Sequence, residues 1–201
     1  MCGRARLSSD LSEIKLVFGI PPERPTPNIA PSWSLAPTDP APVVHYDAKA
    51  GSRALAVMRW GLIPYWAKDI KIGFSTINAR AEEVDTKPAF REAFRQRRCL
   101  VPLDSFCEWK KIGTGKQPYA IALADRRLMG MAGLWETWRS PAGREFAASP
   151  SSRQRRTSCA PSSTTGCLSC SNPKRGRRRW ANRRPTCRDS RHFWPPTLPM
   201  K

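Results

Sequence analysis

The hydrophobic pattern of this chain stops after about Phe146, and that limit decides how much of it can build a core. Up to that point apolar residues recur with the periods of strands and short helices. Beyond it Ser, Arg, Pro, Thr and Cys dominate, and neither template fits for more than a few residues. The charge changes at the same place. Residues 1–148 hold 22 Lys/Arg against 15 Asp/Glu, whereas residues 149–201 hold 13 against 1. The reading is one globular domain over 1–148 followed by an arginine-rich tail over 149–201 that is expected to be disordered. Such an excess of positive charge attracts polyanions at long range, although a solvated tail has the same composition.

The first residues, Met1-Cys2-Gly3-Arg4-Ala5-Arg6, contain no apolar run of the signal-peptide kind, and no segment approaches a membrane span. A cytosolic location without a membrane partner is expected. The seven cysteines should then be mostly reduced. Cys167 and Cys170 have zinc-like spacing, but no second pair stands at a suitable distance, so no metal and no cofactor are expected.

Ser9 to Glu13 reads as a helix start with Ser9 as cap, the helix ending at Gly19 before Pro21 and Pro22. The proline-rich residues 20–41 read as extended loop. Val43 to Tyr46 and Ala54 to Trp60 read as strands around a turn at Ala50-Gly51-Ser52. Asn78 to Glu83 opens a helical stretch, and Phe90 to Gln96 forms a short helix burying Phe90, Ala93 and Phe94. Strands are expected at Arg98 to Pro102, Tyr119 to Leu123 and Met129 to Trp135. Many strands with few short helices predict an α+β fold, mainly an antiparallel sheet curled on itself.

Cys2 carries the most specific chemistry. Methionine aminopeptidase removes Met1 when a small residue follows, which would leave cysteine at the chain start. Its α-amine, with an ordinary pKa of about 7.7–8.0, is partly unprotonated near neutrality. An amine and a thiol on adjacent carbons can attack an aldehyde in turn, giving first an imine and then a five-membered thiazolidine. No internal cysteine can do this, because its nitrogen is an amide. Taken alone, Cys2 reads more readily as a small residue that happens to follow the initiator.

Its neighbours give it a context. Met1-Cys2-Gly3-Arg4, Trp60-Gly61-Leu62-Ile63-Pro64-Tyr65-Trp66, Asn78-Ala79-Arg80-Ala81-Glu82, Arg98-Cys99-Leu100-Val101-Pro102 and Cys107-Glu108-Trp109 occur in order over residues 1–148. Together they resemble the SOS response-associated peptidase (SRAP) family, whose members handle abasic sites in single-stranded DNA. The resemblance implies a barrel-like fold, abasic single-stranded DNA as partner, a monomer and a place near the nucleoid. It implies Cys2 as the nucleophile, Asn78 as the amide that positions the Cys2 amine or the sugar, and Glu108 as the proton shuttle. Arg4 and Arg80 would contact phosphates through the guanidinium fork. Trp66, and with it Trp109 and Trp60, would offer stacking faces worth about 1–3 kcal/mol per base. Each has a plainer reading: Glu108 as a strand-surface acid, Asn78 as a helix cap, the arginines as solvated charge and the tryptophans as core. His45 reads as a strand-surface residue.

The tail departs from the family. A strand of the Ile-Ile-Thr-Thr type and a His-x-Arg-Met-Pro motif, whose histidine acts in the active site, should follow residue 146. Neither is present. Ser163 to Ser169 can be encoded as TCC ACG ACC GGA TGC CTG TCC. Read from the third base, those codons give His-Asp-Arg-Met-Pro-Val. The same shift permits Ile-Ile-Thr-Thr across Pro150 to Gln154 and Leu-Gly-Glu across Trp180 to Asn182. A frameshift between about Phe146 and Ser151 accounts for all three. It predicts a chain without the family histidine, with the terminal strands missing and a sheet edge exposed.

Two other functional classes fit parts of the sequence. An N-terminal-nucleophile hydrolase or peptidase would need a Cys2 thiolate and an oxyanion hole. A non-enzymatic basic protein would need only its arginine-rich tail to coat nucleic acid.

Overall fold

Asp10, not Ser9, opens the first helix. Its carboxylate accepts from the backbone N–H of Ser12 at 2.7 Å, satisfying one of the orphan donors of a helix start. Ser9 is committed elsewhere, since its hydroxyl donates to Asp104 at 2.6 Å. In this computed structural model residues 3–141, 145–149, 151–153 and 170–171 are described. Strand β1 (Ala5–Leu7) precedes helix α1 (Leu11–Phe18), which buries Ile14 and Phe18. The helix stops at Gly19, whose φ of 62° is a left-handed conformation that glycine adopts without a Cβ penalty.

The proline-rich stretch is not all loop. It contains β2 (Ser32–Leu35), which pairs with β1 through Ala5 and Leu35, both buried. Four residues with only one on the core side leave no readable alternation. Strands β3 (Pro40–Asp47) and β4 (Ser52–Trp60) form a long antiparallel pair, from Pro40 opposite Arg59 to Asp47 opposite Ser52. A 3₁₀ turn at Ile70–Phe74 then leads into β5 (Asn78–Arg80).

The expected helix at Asn78 is therefore a strand. Ala-Arg-Ala-Glu-Glu is good helix material, but β5 finds a partner strand and buries Ala79 completely, and tertiary pairing outweighs local propensity. Helix α2 (Arg91–Gln96) follows, with Phe90 at its cap position and Ala93 buried. Next come β6 (Arg98–Leu103), β7 (Ser105–Ile112), β8 (Gly115–Ile121), β9 (Met129–Leu134) and β10 (Glu136–Arg139). The described residues end with β11 (Glu145–Ser149), β12 (Ser151–Arg153) and β13 (Cys170–Ser171). Strand β8 starts well before Tyr119 because it is one arm of a hairpin with β7.

Two sheets result. One has the order β2-β1-β7-β8; the other runs β10-β11-β4-β3-β6-β9-β12-β5, with β13 also on β9. Among the described residues all pairings are antiparallel except β4 with β11 and β5 with β12. Ala5, Leu7, Leu35 and Phe106 from the smaller sheet share one hydrophobic cluster with Val44, Leu55, Trp60, Leu103, Met129 and Met131 from the larger. The result is the mainly antiparallel curled sheet with short helices that the sequence predicts.

Most of the tail lies outside the described residues. Strand β12 is an exception, lying between β9 and β5, so the edge expected to be open there is paired. Ladder hydrogen bonds use main-chain groups alone, so this pairing does not depend on an apolar Ile-Ile-Thr-Thr sequence.

Candidate active site

Three segments carrying expected site residues meet on one cluster. Ala5 and Phe106 are buried in it, and Ile77 packs against it. Each is a sequence neighbour of a candidate: Arg4, the Cys107–Glu108 pair and Asn78. Strand β1 runs antiparallel to β7, and the N–H of Cys107 donates to the carbonyl of Arg4 at 2.8 Å. Running back to Gly3, the first described residue, the chain heads toward Glu108, the next residue along β7. Met1 and Cys2 themselves lie outside the described residues.

Asn78 is half-buried. Asn78 and Arg80 occupy alternate positions on β5 and so face away from the buried Ala79. The strand is fixed on its approach by two contacts. The indole N–H of Trp60 donates to the carbonyl of Ile77 at 2.9 Å. The hydroxyl of Thr76, itself buried, donates to the carbonyl of Leu62. Trp60 is thus a core residue, 9% exposed, and its ring offers no face for stacking. Its spacing in the Trp-Gly-Leu-Ile-Pro run gave no sign of this positioning role.

Arg80 is exposed and pairs with Glu83 at 3.3 Å; Glu83 also accepts from Lys87 at 2.5 Å. Lys87 first, then Arg80, hold the Glu83 carboxyl below the usual carboxylate range. A phosphate could replace Glu83 at Arg80 because a surface ion pair of this kind exchanges readily with solvent and salt. Arg4 is exposed as well, and donates to the Ser34 hydroxyl at 3.0 Å.

Trp66 lies on the loop that follows β4 and is 49% exposed. The buried Trp138 anchors that loop by donating to the carbonyl of Ala67 at 2.7 Å. Trp109, next to Glu108, is 47% exposed. His45 is half-buried rather than on the surface; its ring packs against Trp135 with centroids 5.4 Å apart.

Cys99 and Cys107 are free thiols. Burial pushes the Cys99 thiol up to about 12, partly offset by a contact with Ser149. A thiol so protonated is no nucleophile near neutrality. The carboxylate of Asp104 gathers the N–H and hydroxyl groups of Ser8 and Ser9 at 2.6–3.3 Å, tying the segment after β1 to the turn between β6 and β7. Burial would raise its pKa, but these donors outweigh burial and hold it below the usual range.

A family model described as SOS response associated peptidase (SRAP) matches residues 1–158. This chain belongs to the SRAP family. The SRAP match runs ten residues past Ala148 and includes all five sequence motifs. Among its relatives, the abasic site processing protein YoqW of Bacillus subtilis is 42% identical over 144 residues, covering 71% of this chain and 63% of that protein. The abasic site processing protein HMCES of Gallus gallus is 33% identical over 143 residues, covering 57% and 43%. This SRAP chain therefore spans less than two thirds of the length of these relatives. A solved structure from Bacteroides thetaiotaomicron has the same fold, with a TM-score of 0.71 at 21% identity, covering 84% of this chain and 76% of that one.

Among the described residues no group of three His, Cys, Asp or Glu could hold a metal ion. No helix there is long and apolar enough to cross a membrane.

Proposed function

We propose that this chain processes abasic sites in single-stranded DNA by covalent capture at Cys2. The observation that carries this reading is the β1–β7 register. It leads the start of the chain to Glu108, beside the core cluster that also seats the Ile77–Asn78 segment. The names of YoqW and HMCES, both abasic site processing proteins, support it.

The chemistry follows from the residue types. The Cys2 amine adds to the ring-opened sugar aldehyde to give a carbinolamine. Loss of water gives an imine, and the thiol then adds to the imine carbon, its proton passing to nitrogen to close the thiazolidine. Glu108 takes a proton from the attacking amine and returns it to the leaving hydroxyl. Asn78 orients the amine or the sugar. Arg4 and Arg80 hold flanking phosphates, and Trp66 and Trp109 offer stacking faces. Self-reversal and strand-cleaving lyase chemistry use the same imine.

The test uses tag-free protein and single-stranded DNA with one abasic site. A denaturation-resistant adduct should form and be lost in Cys2→Ala. An adduct of undiminished yield from Cys2→Ala would overturn the assignment. Turnover of peptide substrates without any adduct would favour an N-terminal-nucleophile hydrolase.

The tail is read as an out-of-frame translation starting between about Phe146 and Ser151. Two observations support it. The alignment with YoqW takes in 71% of this chain, and β12 lies where a shifted frame permits a β-branched strand. On this reading the family histidine is absent and capture is weakened. The nucleotide sequence around codons 140–155 tests it, because an uninterrupted frame matching the tail would refute it.

A further inference from the structure

Beyond Phe106 and Ile121 the β7–β8 hairpin leaves the core. Every residue from Trp109 to Ala120 is exposed, so this ribbon places none of them in the core. Its side chains nevertheless follow a definite arrangement. Trp109 stands opposite Pro118, and Lys111 stands opposite Lys116. Residues directly opposite in an antiparallel pair share a face, and so do alternate residues along a strand. Cys107, Trp109 and Lys111 therefore line one face with Ala120, Pro118 and Lys116. Arg4 lies opposite Cys107 and Arg6 opposite Ser105, so both extend that face onto β1.

Two lysines directly opposite each other repel, and like charges at such positions destabilise a hairpin. Neither Lys111 nor Lys116 has a carboxylate within ion-pair distance among the described residues. Glu108 and Tyr119 belong to the other face. Folding thus gains nothing from this pair, whereas a polyanion would relieve its repulsion. The row at Lys111 is four residues from the Arg4 row, or about 13 Å along the strand. Trp109, 47% exposed, stands between them. A cation, an aromatic face and a cation pair in line suit a single nucleic-acid strand, with phosphates at the ends and a base or sugar in the middle.

We propose that the β7–β8 hairpin is a DNA-binding arm in which Lys111 and Lys116 together clamp backbone phosphate next to the exposed face of Trp109. This deepens the abasic-site reading and rests on it for the identity of the strand.

The experiment measures binding of lesion-free single-stranded DNA to the full chain across a salt series, by fluorescence anisotropy. Each single-strand phosphate contact contributes about 0.7 to the slope of log affinity against log salt. Lys111→Ala/Lys116→Ala should weaken binding and flatten the slope by about 1.4. The arginine-rich tail is present in both proteins and cancels. Lys111→Glu replaces a repelling pair by an attracting one, so the hairpin is retained while binding falls. Equal slopes for wild type and double variant would overturn the proposal, as would undiminished binding by Lys111→Glu. Binding is read without a covalent step. A slope difference without any abasic-site adduct therefore sinks the capture reading alone, and an adduct with equal slopes sinks the arm alone.

Discussion

The indole N–H of Trp60 and the carbonyl of Ile77 lie 2.9 Å apart, a bond that joins the end of β4 to the residue before Asn78. Trp60→Phe keeps most of the apolar volume and removes this donor. The partly buried carbonyl of Ile77 then loses this donor, at about 0.5–1.5 kcal/mol. Urea denaturation should show that loss, and adduct formation on abasic DNA should slow because Asn78 is less firmly placed. Full destabilisation with an unchanged adduct rate would remove Trp60 from the positioning of Asn78.

Asp104 makes a pH-dependent contribution. Its folded pKa is depressed by donors from Ser8 and Ser9, so its stabilisation is complete above the unfolded value of about 3.9 and is lost as pH falls through the lower folded value. Asp104→Asn should therefore be less stable than wild type near neutrality, by about 1–3 kcal/mol. The gap should close in acid below about 3.9. Denaturant midpoints of the two proteins across that range measure it; a gap that stays constant with pH would refute the assignment.

Gly61 cannot be replaced cheaply. Its φ is 113°, and a Cβ there would stand 2.5 Å from the carbonyl oxygen of Gly73. Backbone meets backbone, so Gly61→Ala should cost about 2–4 kcal/mol from strain and displacement together. At Gly73 a Cβ would meet the tip of the Arg59 side chain at 2.7 Å, an atom that can move. Gly73→Ala should be the milder variant, and thermal melts of both compare them directly.

Cys99 should resist thiol reagents. It is buried and its thiol is pushed up to about 12. Maleimide treatment of the native protein near neutral pH followed by peptide mapping should leave Cys99 unmodified and modify it after denaturation. Rapid native labelling of Cys99 would show that the strand pair around it opens easily.

Long, regularly patterned segments were legible from the chain alone. Strands β3, β4, β6 and β9 stand where apolar spacing puts them, because each buries several residues of its own, and helix α2 stands there around the buried Ala93. The short pieces were not. Strand β2 is a strand by virtue of β1 beside it, and β5 by virtue of β12, so neither carries enough local pattern to announce itself. The same holds at Ser9, where Asp104, 95 residues away, takes the hydroxyl that local reasoning assigned to the helix cap.

By itself, the amino-acid order determined the family motifs, the aminothiol that removal of Met1 would expose, the curled mainly antiparallel sheet and the point where core-forming pattern ends. These are properties of residue type and spacing. The tertiary structure alone decided which tryptophans are core and which are exposed, since Trp60 and Trp109 differ in packing and not in kind. It alone also set two lysines opposite each other on a coreless ribbon. A side chain's surroundings depend on strands brought together from distant parts of the chain, and no local spacing encodes that pairing.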